Sequence, residues 1–299
     1  MKRHAYLILA HACPEQLRKL LSLLDDGRNS IFVHIDAKAG FGGEVLEGAC
    51  RYSDVHLVEP RLKVSWGGVS IMRATIAMLE AAASVGQFDY YHLLSGMDLP
   101  IKGQDEIHAF FDERPGREFL RLWPTDEARA VRFRYYIPFP EAGNNFMLRL
   151  LNNAFRGVEM LFGARINKGI DFRFSAQWFS IDDAFARYVI SQRDFLERVF
   201  CHTGTPDEVF MSTLLVNSPF KDALYDDTIY LERSPRRQEG VGNMRFTDWT
   251  RGKSVRHPWV FTDDDYDMLM GASGFWARKF DERVDGKIID RICAALREP

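Results

Sequence analysis

The residues best placed to do chemistry are two adjacent carboxylates, Asp207 and Glu208, in the stretch Gly204-Thr205-Pro206-Asp207-Glu208-Val209-Phe210-Met211. A carboxylate held at the rim of an apolar core can act as a general base, taking the proton from an attacking hydroxyl. Pro206 followed by two acidic residues also reads as the first turn of a helix. Proline has no N–H to leave unpaired there, and negative charge meets the positive end of the helix dipole. Val209, Phe210, Leu214 and Leu215 supply the apolar side that fixes such a helix in a core. Taken alone, helix capping is the simpler account of the pair, so the surrounding chain has to decide between the two roles.

The composition narrows the field. The chain has 299 residues, 46% hydrophobic and 27% charged, with a formal net charge of −3. That is ordinary for a globular protein with a sizeable core and carries no electrostatic footprint for nucleic acid. Cys13, Cys50, Cys201 and Cys293 are scattered and form no CxxC, so neither a zinc site nor a disulfide framework is indicated. The N-terminal apolar run Ala5–Ala10 is too short for a signal peptide and meets His11, Cys13, Pro14 and Glu15 at once. No stretch approaches the ~18 apolar residues of a spanning helix. A cytoplasmic protein with reduced thiols is expected, at most peripheral at the inner membrane face.

The elements that must position a site can be read in chain order. Ala5–Ala10 is a continuous apolar run, as in a strand buried on both faces. Pro14 opens a helix with Leu17, Leu20, Leu21 and Leu24 on one stripe, and residues 30–36 form a second strand ending on Asp36. Residues 55–58 are a third strand, 69–84 a long helix after Ser65-Trp66-Gly67-Gly68, and 90–94 a fourth strand closed by Ser95-Gly96-Met97-Asp98. This alternation predicts an α/β fold with a mainly parallel sheet flanked by helices, in a single domain spanning 1–299. Ligands in such sheets bind at the carboxyl ends of the strands, where His11, Asp36 and Asp98 all fall. Each alone is equally explained as a turn former, but three polar side chains on one edge favour a site. No GxGxxG follows the first strand and no GxxxxGK[ST] occurs, so the usual dinucleotide and P-loop phosphate cradles are missing.

Farther on, 118–123 reads as a strand, and Arg121, Arg129, Arg132 and Arg134 as a solvated basic face. An amphipathic segment at 144–162 can flank an acceptor or touch a membrane surface. Residues 175–181 read as one strand, followed by one helix from the capping Asp182 to about Phe200. A strand-like 244–249, the basic loop 250–256 and an acidic-started helix after Thr262 complete the pattern.

Several of these stretches occur together in one known family. SGMDLPIK at 95–102, SAQWFSI at 175–181, TPDEVF at 205–210 and FWARKFD at 275–281 resemble the Core-2/I-branching β-1,6-N-acetylglucosaminyltransferases and the related protein xylosyltransferases. VHID at 33–36, SWGG at 65–68 and RFTDW at 245–249 fit the same pattern, in family order. The resemblance is to a bacterial-type member. It implies a GT-A-like fold, with residues up to about 100 as the nucleotide-binding half and the remainder as the acceptor and catalytic half. It implies inverting transfer of GlcNAc or xylose from a UDP-sugar to a glycan or glycolipid acceptor, with no divalent metal or other cofactor.

The same resemblance assigns roles. Glu208 is implied as the catalytic base and Asp207 as structural. Arg256 and Lys279 are implied to hold the diphosphate of the leaving group, a task that most GT-A enzymes give to a metal. Arg278 and Lys279, if on a strand, point to opposite faces, and the family pattern selects Lys279. Asp36 matches the residue near the uridine, with the His11 loop beside the base, and Asp98 positions the donor sugar or ribose. Trp178 and Trp249 are candidate sugar platforms, though either is equally well explained as core. The alternative function is a non-catalytic nucleotide-sugar or carbohydrate-binding protein, which would keep the donor pocket without needing Glu208.

Overall fold

The computed structural model describes residues 3–228, 242–251 and 258–297. Its strands, in chain order, are β1 His4–Ala10, β2 Asn29–Ile35, β3 Asp54–Leu57, β4 Tyr90–Ser95, β5 Asp98–Pro100, β6 Leu122–Trp123, β7 Phe174–Ser175, β8 Ser180–Asp182, β9 Arg245–Thr247 and β10 Trp276–Arg278. The central sheet has the order β3-β2-β1-β4-β8, parallel throughout except for β8. Its register places His4 opposite both Asn29 and Tyr90, so all the carboxyl ends of the parallel strands lie along one edge.

The apolar runs form this sheet because both of its faces are covered. On β1, Tyr6, Ile8 and Ala10 point into one core and Ala5 and Leu7 into the other. Helices Pro14–Leu23 and Gly286–Arg297 cover the first face through Leu17, Leu20, Ile288 and Ile292, and helix Val69–Val85 covers the second through Met72, Ile76 and Leu79. Each core draws on residues from both sides of position 100. The mainly parallel α/β arrangement predicted from the sequence is the one observed.

Beyond Pro100 the expected elements are shorter. The strand expected at 118–123 reduces to β6 plus isolated bridges from Glu118 to Leu224 and from Phe119 to Ser180. The strand expected at 175–181 splits, because Ser175 pairs with Leu122 in a separate ribbon while Ser180–Asp182 pairs with β4. The single helix expected at 182–200 breaks at Gln192 into Asp183–Ser191 and Arg193–Phe200, although Asp182 does cap it, accepting from the Phe185 N–H at 2.8 Å.

A second sheet, β5-β10-β9, is fastened to the first by the fully buried Arg245. Its guanidinium donates to the carbonyls of Leu93, Phe179 and Asn243 and to the Ser180 hydroxyl, with Trp276 packed 4.5 Å away. Burial pushes this guanidinium down to about 9, against the opposing pull of Asp98. Arg245→Ala leaves four buried acceptors without that donor and opens a cavity. Urea denaturation should register a loss of about 3–5 kcal/mol, whereas a loss below about 1 kcal/mol would show that the two sheets are joined by other means.

Candidate functional site

The carboxyl edge is built by main-chain bonds that bring three loops together. Asp36 N–H donates to the Ala10 carbonyl at 2.8 Å and Gly96 N–H to the Leu9 carbonyl at 2.9 Å. The buried Gln16 extends the edge to the last strand. Its amide donates to the carbonyls of Gly96 and Phe280 and accepts from the Glu282 N–H. His11, Asp36, Asp98 and Lys279 are thereby gathered at one place.

Asp36 is nearly buried, and its Oδ1 accepts from the N–H groups of Lys38 at 2.9 Å and Val64 at 3.2 Å. Asp98 is 1% exposed. It accepts from the Ser95 N–H at 2.9 Å and forms an ion pair with Arg278 Nη1 at 2.6 Å. Burial pushes its carboxyl up, while Arg278 holds it back. A cation thus already faces this carboxylate, at the position where a metal-binding acid would be sought. His11 is exposed at the rim, yet desolvation and then the neighbouring Lys279 and Arg278 lower its imidazole, with Asp36 opposing.

Lys279 is half-buried and makes no ion pair among the described residues. Burial lowers its ammonium, and the adjacent Arg278 adds to the effect. Such a group gains from any anion that arrives beside it. The family pattern selects Lys279 over Arg278, but the structure puts both in the same cluster. Besides holding Asp98, the Arg278 guanidinium lies 4.4 Å from the centre of the Trp178 ring. One face of that candidate sugar platform therefore stacks on a cation. Trp249, two residues beyond β9, is half-buried. Arg256 lies outside the described residues.

Glu208 is placed by different elements. Pro206–Glu208 is a single 3-10 turn and the α-helix starts only at Phe210, so Glu208 precedes the helix instead of lying in its first turn. The turn is set by Thr205, which has φ 48° and donates its N–H to Gly67 O at 3.0 Å. The two glycines of Ser65-Trp66-Gly67-Gly68 differ here, because only the first has a backbone conformation that calls for glycine, while the second meets the movable end of a side chain. Gly67 adopts φ +68°, and a Cβ on Gly68 would sit 2.5 Å from Glu141 Oε2. That carboxylate accepts from the Ser70 N–H and hydroxyl, closing the start of the long helix. The loop between Val64, bonded to Asp36, and Gly67, bonded to Thr205, therefore links the Glu208 turn to the edge cluster. Trp66, 62% exposed, stands on this loop as an open aromatic face that the sequence pattern alone did not single out.

Glu208 Oε2 lies 3.9 Å from Arg132 Nη1, and its side chain keeps 30% of its surface open to solvent. The arginines are accordingly only in part the solvated face expected, because Arg132 is exposed while Arg121 is buried. Arg132 reaches Glu208 and Thr205, Arg121 is buried and donates to Arg245 O, and Arg129 donates to Pro124 O. Long-range bonds of this kind leave no local pattern in the sequence. Among the described residues, one group of possible metal ligands, His4, His108 and Asp112, lies at the opposite, amino end of β1. The His4 and His108 rings stack at 3.9 Å with 17° between their planes, so their in-plane lone pairs lie in nearly parallel planes.

Asp207 does not cap the helix. It is 8% exposed, and its Oδ1 has no hydrogen-bond partner among the described residues. Burial pushes its carboxyl up to about 7, with its own backbone N–H and Arg132 pulling the other way. A carboxyl raised on folding favours the native state less as pH rises, because the unfolded chain ionises first. Asp207→Asn should therefore match the wild type near pH 4 and exceed it by up to ~4 kcal/mol above pH 8 in denaturation measured across that range. An advantage that is the same at both pH values would contradict a protonated native Asp207.

Comparison with known proteins connects this geometry to relatives. The Core-2/I-Branching enzyme family model matches residues 4–268. Xylosyltransferase 2 of Canis lupus familiaris is 24% identical over 310 residues, covering 96% of this chain and 33% of its own length. Xylosyltransferase 1 of Homo sapiens is 23% identical over 312 residues, covering 97% of this chain and 30% of its own length. The chain thus spans about a third of the length of the curated relatives it matches. The crystal structure of mouse xyloside xylosyltransferase 1 in its apo form aligns with a TM-score of 0.33 and 11% identity, over 74% of this chain and 83% of that one. With the family match running from β1 to the helix Tyr266–Met270, the chain belongs to the Core-2/I-Branching enzyme family.

Proposed function

We propose that this protein is an inverting glycosyltransferase that moves a sugar from a UDP-sugar to a hydroxyl of a glycan or glycolipid acceptor without a divalent metal. GlcNAc and xylose are the donor sugars that suit the family and its relatives. The observation that carries the reading is the convergence of His11, Asp36 and Asp98 with Arg278 and Lys279 at the carboxyl edge of the sheet, Lys279 having no ion pair among the described residues. This is a rim that accepts a nucleotide, with positive charge where a diphosphate would leave.

The chemistry divides between two elements. Glu208 takes the proton of the acceptor hydroxyl as that oxygen bonds to the anomeric carbon. On the opposite face, the bond from that carbon to the diphosphate oxygen breaks, which inverts the configuration. The charge growing on the departing phosphate is met by Lys279, with Arg256 as a second cation. Arg278 is committed to Asp98 and acts by holding that carboxylate and the strand in place. The engagement of Asp98 by a guanidinium favours charge stabilisation by side chains over stabilisation by a metal bridge.

A panel of nucleotide sugars, scored for hydrolysis or transfer, tests the reading and identifies the donor. UDP-GlcNAc or UDP-xylose should turn over. Glu208→Gln should still bind UDP but lose at least ~10²-fold in turnover. Unchanged turnover in that variant would remove Glu208 as the base, and turnover with no member of the panel would favour a binding protein.

A further inference from the structure

The helix Phe146–Leu161 is oriented opposite to the usual amphipathic rule. None of its residues is buried, and its polar side chains are the ones that fasten it to the body of the protein. Asn152 donates to Phe139 O and accepts from the Phe139 N–H, each at 3.0 Å, and Glu159 accepts from the Tyr136 N–H at 3.2 Å. The apolar residues face solvent instead. Phe146 is 77% exposed, Leu161 81% and Phe162 78%, with Met147, Leu150 and Val158 between them at about half or more. Positions 147, 150, 151, 154, 158 and 161 share one stripe at helical spacing, so these side chains form a continuous surface. Contiguous apolar patches of this kind on a folded protein mark a contact site.

The charges around the patch identify what covers it. Between 144 and 170 there are four basic residues, Arg149, Arg156, Arg165 and Lys168, and one acid, Glu159, although the whole chain has a net charge of −3. Arg149, Arg165 and Lys168 are exposed and make no ion pair among the described residues. Arg149 lies about 200° around the helix from Met147, away from the stripe, whereas Arg165 and Lys168 follow its carboxyl end within six residues of Phe162. An anionic lipid surface accepts the apolar stripe among its acyl chains and the cations at the end of the stripe at its headgroups. We propose that the helix Phe146–Leu161 and the adjoining Phe162 dock this protein onto an anionic membrane surface. The segment leading into the helix is bonded to the turn shortly before Glu208, with Ile137 N–H donating to His202 O at 2.9 Å and Tyr136 Oη paired with His202 Nε2 at 3.1 Å. Docking therefore holds the Glu208 turn near the lipid surface. The inference does not depend on the donor, the acceptor or the catalytic assignment.

Cosedimentation with vesicles tests it. The wild type should pellet with phosphatidylcholine vesicles containing about 30 mol % phosphatidylglycerol, at least ~10-fold more strongly than with phosphatidylcholine alone, and the preference should fall at about 0.5 M salt. The triple variant Leu150→Glu, Leu161→Glu, Phe162→Glu changes only exposed side chains, so it should keep the wild-type circular dichroism and melting temperature while losing the pelleting. Arg149→Gln, Arg165→Gln, Lys168→Gln together should abolish the anionic preference. Failure of the wild type to pellet with either vesicle would overturn the proposal, as would pelleting that survives the triple glutamate variant. So would a concentration-dependent dimer in sedimentation velocity that the glutamate variant converts to monomer, because a second copy would then cover the face.

Discussion

The site depends on one buried ion pair. Asp98 opens β5 just beyond the parallel strand β4 and lies almost wholly out of solvent, a location that penalises an ionised carboxyl. Arg278, directly opposite it in the antiparallel β5–β10 pairing, supplies the countercharge at 2.6 Å. Removing either partner would leave a buried charge uncompensated. The pair therefore fixes the end of β10 against the parallel sheet. Lys279, the next residue in the chain, is delivered by it to the carboxyl edge.

The two neighbouring cations consequently have separate roles. Arg278 is neutralised by Asp98 and stacked on Trp178, and Gln16 pins the chain just beyond it by bonding Phe280 and Glu282. Lys279 sits in the same partly desolvated place with no ion pair among the described residues. A half-buried ammonium is unfavourable alone and becomes favourable when a diphosphate binds beside it. Across the 62–68 loop, Glu208 and Asp207 show a similar division. Asp207 is buried and pushed toward its neutral form, while Glu208 remains partly open to solvent, as the proposed general base must be.

Much of this was legible in the sequence. The alternating burial of Ala5 to Ala10 follows from a run that must be apolar on both faces, and it places His11 at the carboxyl edge beside Asp36 and Asp98. The motifs around 205–210 and 275–281 also point to Glu208 and Lys279 without any geometry. What stayed hidden was made by residues far apart in the chain. The Asp98–Arg278 pair spans 180 positions, and Arg245 reaches the Leu93 carbonyl in β4 and the Phe179 carbonyl just before β8. Arg121 reads as solvated surface because a charged residue's local pattern carries no record of a distant partner. Short pieces such as β6 and β8 read as longer strands in the sequence for a related reason. Their length is decided by which strand they meet, and intrinsic β-propensity does not report that.

In the proposed reaction, side-chain cations and no metal receive the diphosphate at the end of β10. Calorimetric titration of UDP into the protein in excess EDTA tests it most directly, with Lys279→Ala titrated in parallel. UDP should bind equally well with EDTA or with added Mn²⁺, and at least ~10-fold more weakly to Lys279→Ala. Binding that requires Mn²⁺, or that is indifferent to Lys279, would contradict it.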